Sequence, residues 1–125
     1  IYIQKKYGTI VEEVEMGRII GDSICVETTD DDDIIYAQRV GRKGLTRFVK
    51  GRNPVPCSKA VVILNWDGRE SSYILVTGFV GAKTPVEPWD KKATADSTTF
   101  WNSHALILDG SYKITEGSET TICPW

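Results

Sequence analysis

Two apolar, β-branched runs, Val61-Val62-Ile63-Leu64 and Tyr73-Ile74-Leu75-Val76, flank the dipeptide Asp67-Gly68. Asp-Gly between such runs accepts the positive φ angles that a tight reversal of twisted strands needs, so this stretch predicts a β-hairpin. A second pair, Asp109-Gly110, separates Ala105-Leu106-Ile107-Leu108 from Tyr112-Lys113-Ile114-Thr115 and predicts another. Ile34-Ile35-Tyr36-Ala37 and Thr46-Arg47-Phe48-Val49 read as two further strands around the turn-forming Gly41-Arg42-Lys43-Gly44. Ile10 to Val14 fits either a strand or one helical turn. Prolines keep Lys83 to Asp90 extended. Ala95 to Ser103 is the best helix candidate, with Thr94 or Asp96 as its cap and with Phe100 and Trp101 delivered to the core. The expected fold is α+β, a mainly antiparallel β-sheet with one or more short helices packed to one side, in a single domain over residues 1–125.

Length and composition agree with that expectation. At 125 residues, 41% hydrophobic and 26% charged, the chain is long enough to bury its own core and too apolar to be disordered. It holds no apolar run of the roughly 20 residues that a membrane-spanning helix needs, and no charged-then-apolar leader. The chain begins at Ile1 and its only methionine is Met16, as expected either of a trimmed chain or of a domain cut from a longer polypeptide. Cys25, Cys57 and Cys123 are too few and too widely spaced for a complete disulfide framework or a metal site, so three thiols are expected, with a single bridge left open, and no cofactor or metal is called for.

The net charge of -2 conceals a segregation of sign. Residues up to Asp33 carry nine acids against three bases and end in the run Asp30 to Asp33, which reads as a solvated turn. Ile34 to Trp66 carries seven bases (Arg39, Arg42, Lys43, Arg47, Lys50, Arg52, Lys59) and no acid. Guanidinium groups bind phosphate oxygens in bidentate fashion, and a cluster of them anchors a nucleic-acid backbone. The basic segment therefore points to a phosphate-bearing partner, with Arg39, Arg42, Lys43, Thr46 and Arg52 as candidate nucleic-acid contacts. On a strand Arg47 and Phe48 alternate between faces, and only a bend or bulge would bring Lys50 beside Arg47.

Three further residues carry possible chemistry. His104, the only histidine, falls where the predicted helix gives way to a strand, and its type suits general acid or base work or a hydrogen-bonded structural role. Thr77 runs into Gly78 and could hold a phosphate or ribose hydroxyl, or serve as a plain strand residue. Trp89, in Glu87-Pro88-Trp89-Asp90, offers a stacking platform for a base or a pin that fixes its loop. Metal-independent RNA cleavage fits this set, because the ribose 2′-hydroxyl is its own nucleophile and the protein need only place the phosphate, stabilise charge and move protons.

Arg39-Val40-Gly41-Arg42, Thr46-Arg47-Phe48-Val49-Lys50, Val76-Thr77-Gly78-Phe79 and Phe100-Trp101-x-x-His104-Ala105-Leu106 together resemble small bacterial and phage-associated ribonuclease domains of the barnase/EndoU/colicin/RelE-like type. That group includes the C-terminal toxin domains of contact-dependent growth inhibition proteins. The resemblance runs over residues 34–108 and implies a small antiparallel sheet that cuts RNA in a cleft without metal. It assigns Arg47 and Lys50 to phosphate and transition-state stabilisation, Thr77 to positioning and His104 to acid or base work. The helices with which such toxins open have no counterpart in residues 1–33. The resemblance further implies tRNA or another structured RNA as substrate, an acidic immunity or antitoxin partner, and a cytoplasmic site of action reached from a larger secreted protein. A non-catalytic nucleic-acid-binding module and a phage or mobile-element structural or adaptor protein fit the same sequence. The ribonuclease function requires His104 to share a pocket with the guanidinium groups gathered mid-chain.

Overall fold

A computed structural model describes residues 8–108 and 112–125. Its strands are β1 (Thr9–Glu15), β2 (Gly21–Ser23), β3 (Cys25–Glu27), β4 (Asp33–Gln38), β5 (Leu45–Lys50), β6 (Val55–Cys57), β7 (Lys59–Asp67), β8 (Ser72–Val80) and β9 (His104–Ile107). One helix, α1 (Ala95–Trp101), precedes β9. The architecture is α+β with mainly antiparallel pairing. The chain divides into two compact units, one of residues up to Ser23 with Val55–Lys83, the other of Ile24–Pro54 with Thr84–Trp125.

In the first unit β1, β7 and β8 pair antiparallel in that order, and β2 pairs with β6. Residues 10 to 14 are strand, which settles the open choice there. The hairpin signal at Asp67-Gly68 holds, with Asp67 opposite Ser72 as the last pair. The reversal takes four residues, and Ser71 absorbs the positive φ (49°). The register slips between Ile63 and Leu64, where β8 carries an extra residue. β8 is an edge strand with Ile74, Leu75, Val76 and Phe79 all exposed. Thr77 lies exposed among them, opposite Ile63.

The second unit holds a four-stranded sheet in the order β3-β9-β5-β4. β4 and β5 form the hairpin expected around Gly41 to Gly44. β9 does not pair with Tyr112 to Thr115 as the second Asp-Gly signal predicted. It runs antiparallel to β3 and parallel to β5, and Ile114 instead bridges Arg39 beside β4. The turn at Asp109-Gly110 lies outside the described residues. Tertiary pairing overrides the local signal here, because the C-terminal segment bonds the outer edge of β4 through Tyr36 and Thr120 and so covers an otherwise open edge.

Side chains alternate across this sheet, so each face has its own apolar cluster. Val26, Val49, Ala105 and Ile107 pack on one face, with Ile34 against them. Ile35, Ala37 and Phe48 pack on the other, with Leu106, Leu108, Tyr112 and Ile114. Thr94 occupies the N-cap position of α1, and its backbone N–H donates to Ser97 Oγ at 3.2 Å. Trp101 is buried as expected, but Phe100 is only half-buried. Adjacent helical residues point about 100° apart, so both cannot enter one core.

Candidate functional site

The pairing registers place each candidate residue. Glu27 stands directly opposite His104 in the β3–β9 pair. The parallel register Phe48 with Leu106, carried two residues back, sets Thr46 level with His104. Glu27, His104 and Thr46 therefore project from one face of the sheet, the face that carries Phe48. Sequence reading missed Glu27, because the pairing of β3 with β9 joins residues far apart in the chain.

His104 is half-buried, and its ring lies flat on Phe100, with centroids 3.9 Å apart and planes 8° from parallel. Nδ1 lies 3.0 Å from the Phe100 carbonyl and 3.0 Å from Ser103 Oγ. A carbonyl only accepts, so Nδ1 carries the proton and the neutral ring keeps its lone pair on Nε2. Ser103 Oγ is free to accept from Nδ1, since it donates to the same carbonyl at 3.2 Å. Among the described residues Nε2 has no hydrogen-bond partner. The helix end thus fixes both the orientation and the tautomer of the imidazole.

Arg47 does not share a pocket with that imidazole. It leaves the sheet on the opposite face, and its Nη1 donates to Thr28 Oγ1 at 2.8 Å and to the backbone carbonyl of His104 at 3.0 Å. It touches the backbone of His104 and fixes the chain there. Lys50 is exposed at the far end of β5, and the β4–β5 register is continuous from Asp33 with Lys50 to Gln38 with Leu45. With no bulge to turn it, Lys50 stays on the face opposite Arg47. Thr77 belongs to the first unit and stands on β8. Arg47 is therefore not clustered with His104 and Lys50 on one face.

The guanidinium that shares the imidazole's face is Arg39. Its Nε donates to Thr46 Oγ1 at 3.1 Å, its Nη2 pairs with Glu87 at 2.6 Å, and its guanidinium lies over the Tyr112 ring at 5.6 Å. Thr46 is fully buried, so its hydroxyl holds Arg39 and cannot touch a nucleic acid. Arg52 is also committed, with Nη1 at 3.0 and 3.1 Å from the two Asp32 oxygens. The backbone N–H of Thr29 and then the Arg52 side chain hold the Asp32 carboxyl below the usual range.

Arg42 and Lys43, at the tip of the β4–β5 hairpin, are exposed and form no ion pair among the described residues. With Gly41, Trp89, Asp90 and Lys91 they line a cleft of about 370 Å³. Trp89 is a pin more than a platform: a Cβ on Gly44 would sit 2.1 Å from its Cγ, so the indole lies directly on the glycine. Its Nε1 is shielded from solvent with no hydrogen-bond partner among the described residues. Among those residues no three His, Cys, Asp or Glu side chains gather as metal ligands, and the three cysteines are free thiols. No helix among them is long and apolar enough to cross a membrane. No protein-family model, curated protein or solved structure matches the chain.

Proposed function

We propose that this domain is a metal-independent endoribonuclease acting on tRNA or another structured RNA. The observation that carries the proposal is the state of His104: fixed through Nδ1, uncommitted at Nε2 and paired across the strands with Glu27. RNA cleavage by its own 2′-hydroxyl needs one group to take the hydroxyl proton and another to return a proton to the departing 5′-oxygen. Side chains of a directly opposed antiparallel pair have Cβ atoms about 5 Å apart, which suits two proton-transfer groups working on one phosphate. Arg39, on the same face, is paired with Glu87 and would meet the charge that builds on the phosphoryl oxygens by exchanging that carboxylate for the phosphate. Arg47 is a positioning residue, through the His104 carbonyl. An acidic immunity protein would be the natural inhibitor, covering the basic hairpin tip from the cytoplasm in which the RNA is met.

The test is incubation of the purified protein with tRNA in EDTA, followed by analysis of the ends. The proposal expects 2′,3′-cyclic phosphate and 5′-hydroxyl ends, with Glu27→Gln slowing their appearance by about 10²-fold or more. RNA that is bound and left whole would mark a non-catalytic binding module; RNA that is neither bound nor cut at low salt would mark a structural or adaptor protein.

A further inference from the structure

The seven bases of residues 34–66 do not act as one patch. Arg39, Arg52 and Lys59 form ion pairs, and Arg47 is taken up by Thr28 and the His104 carbonyl. Lys50 stands at the opposite end of β5 from the hairpin tip. The uncommitted positive charge collects instead at one cleft, where Arg42 and Lys43 are joined by Lys91 from outside the basic segment. The single acid there, Asp90, turns Oδ1 back to the Lys92 backbone N–H at 2.8 Å.

Two features make this a built edge. The loop that delivers Lys91 is fastened at three points: Trp101 Nε1 donates to the Pro85 carbonyl at 3.2 Å, Arg39 pairs with Glu87, and Trp89 seats on Gly44. Lys91 is therefore held beside the hairpin tip. The parallel run of β5 and β9 also puts that tip at the same end of the sheet as His104. Arg39, which holds Glu87 of that loop, donates to Thr46 on the imidazole's face of the sheet.

We infer that Arg42, Lys43 and Lys91 form a phosphate-binding subsite for the RNA backbone, separate from the bond on which His104 acts. The inference rests on the ribonuclease proposal for its ligand. Three cations on an open edge match a polyanionic strand, whose successive phosphates they meet in turn. Their contribution is to affinity and placement, and the chemical step remains with His104.

The experiment measures fluorescence anisotropy of a labelled, short single-stranded RNA carrying 2′-O-methyl groups, which cannot be cut, across a salt series. Arg42→Ala/Lys43→Ala/Lys91→Ala is expected to bind about tenfold or more weakly. Its log-log salt slope should fall by about 2, three contacts at roughly 0.7 each for a single strand. His104→Ala should keep the wild-type affinity and slope. Lys91→Gln alone should lower the slope by about 0.7, which tests the residue recruited from outside the basic segment. Wild-type affinity and slope in the triple variant overturn the subsite. Because the probe cannot be cut, a ribonuclease proposal that fails in a separate cleavage assay leaves this result readable on its own.

Discussion

Arg47 holds the backbone carbonyl of His104 at 3.0 Å from the face of the sheet opposite the imidazole. A second donation to Thr28 Oγ1 ties β5 to the segment after β3 across the whole width of β9. Arg47→Ala is expected to lower the unfolding free energy by about 1.5–3 kcal/mol, as for loss of hydrogen bonds from a charged donor. Arg47→Lys should recover only part of it, because the ammonium sits on a shorter, more flexible stem than the planar guanidinium whose Nη1 reaches both acceptors. Urea denaturation measures the change, and binding of an uncleavable RNA should be unaffected.

Thr46 is the buried support of Arg39. Thr46→Val keeps the volume and removes the acceptor, leaving the Arg39 Nε–H without its partner. The expected loss is about 1–3 kcal/mol of stability. Cleavage should slow as Arg39 loses its fixed place, with little change in affinity for an uncleavable RNA. Equal losses in both would contradict the separation of Arg39 from the anchoring cations.

Asp32 sets part of the acid limit of the fold. Its carboxyl is held below the ordinary range by the Thr29 backbone N–H and then by Arg52, so the folded state favours the charged form. That contribution is present above the unfolded carboxylate value of about 3.9 and is lost as pH falls through the lower folded value. Asp32→Asn should therefore be less stable than wild type at neutral pH, with the difference shrinking below about pH 4 as the wild-type carboxyl takes up its proton. Thermal unfolding of both proteins from neutral pH to about pH 3 shows the convergence.

Gly44 has no room for a side chain, since its Cβ would fall 2.1 Å from Trp89 Cγ and 2.6 Å from Cδ2. Gly44→Ala must lift the indole. A loss of about 1–3 kcal/mol is expected, as for overpacking, with a red shift of tryptophan emission as the ring is freed. RNA affinity should fall as well, because lifting Trp89 carries Lys91 away from the hairpin tip.

The parts of the fold that the sequence announced are those governed by neighbours in the chain. The Asp67-Gly68 hairpin, the strands around Gly41 to Gly44 and the helix capped by Thr94 all depend on local turn and cap chemistry. The partners of β9 depend on which distant strands reach it, and the Asp109-Gly110 signal carried no information on that. The same limit applied to the site. The basic run was visible, but which of its members stay uncommitted turned on Glu87 and Asp32, whose contacts are fixed by tertiary packing. Alternation placed Arg47 and Phe48 on opposite faces correctly; what it lacked was the parallel β5–β9 register, which puts the imidazole on Phe48's side. Glu27 gave no motif at all and enters only through its register with His104.

The most direct measurement is the single-turnover rate of tRNA cleavage in EDTA by the wild-type protein and by His104→Ala, with both shown to be folded. Wild-type cleavage that falls about 10²–10⁴-fold in the variant, at equal RNA affinity, is the predicted result. Undiminished cleavage by His104→Ala, or intact RNA after prolonged incubation with the wild type, would contradict it.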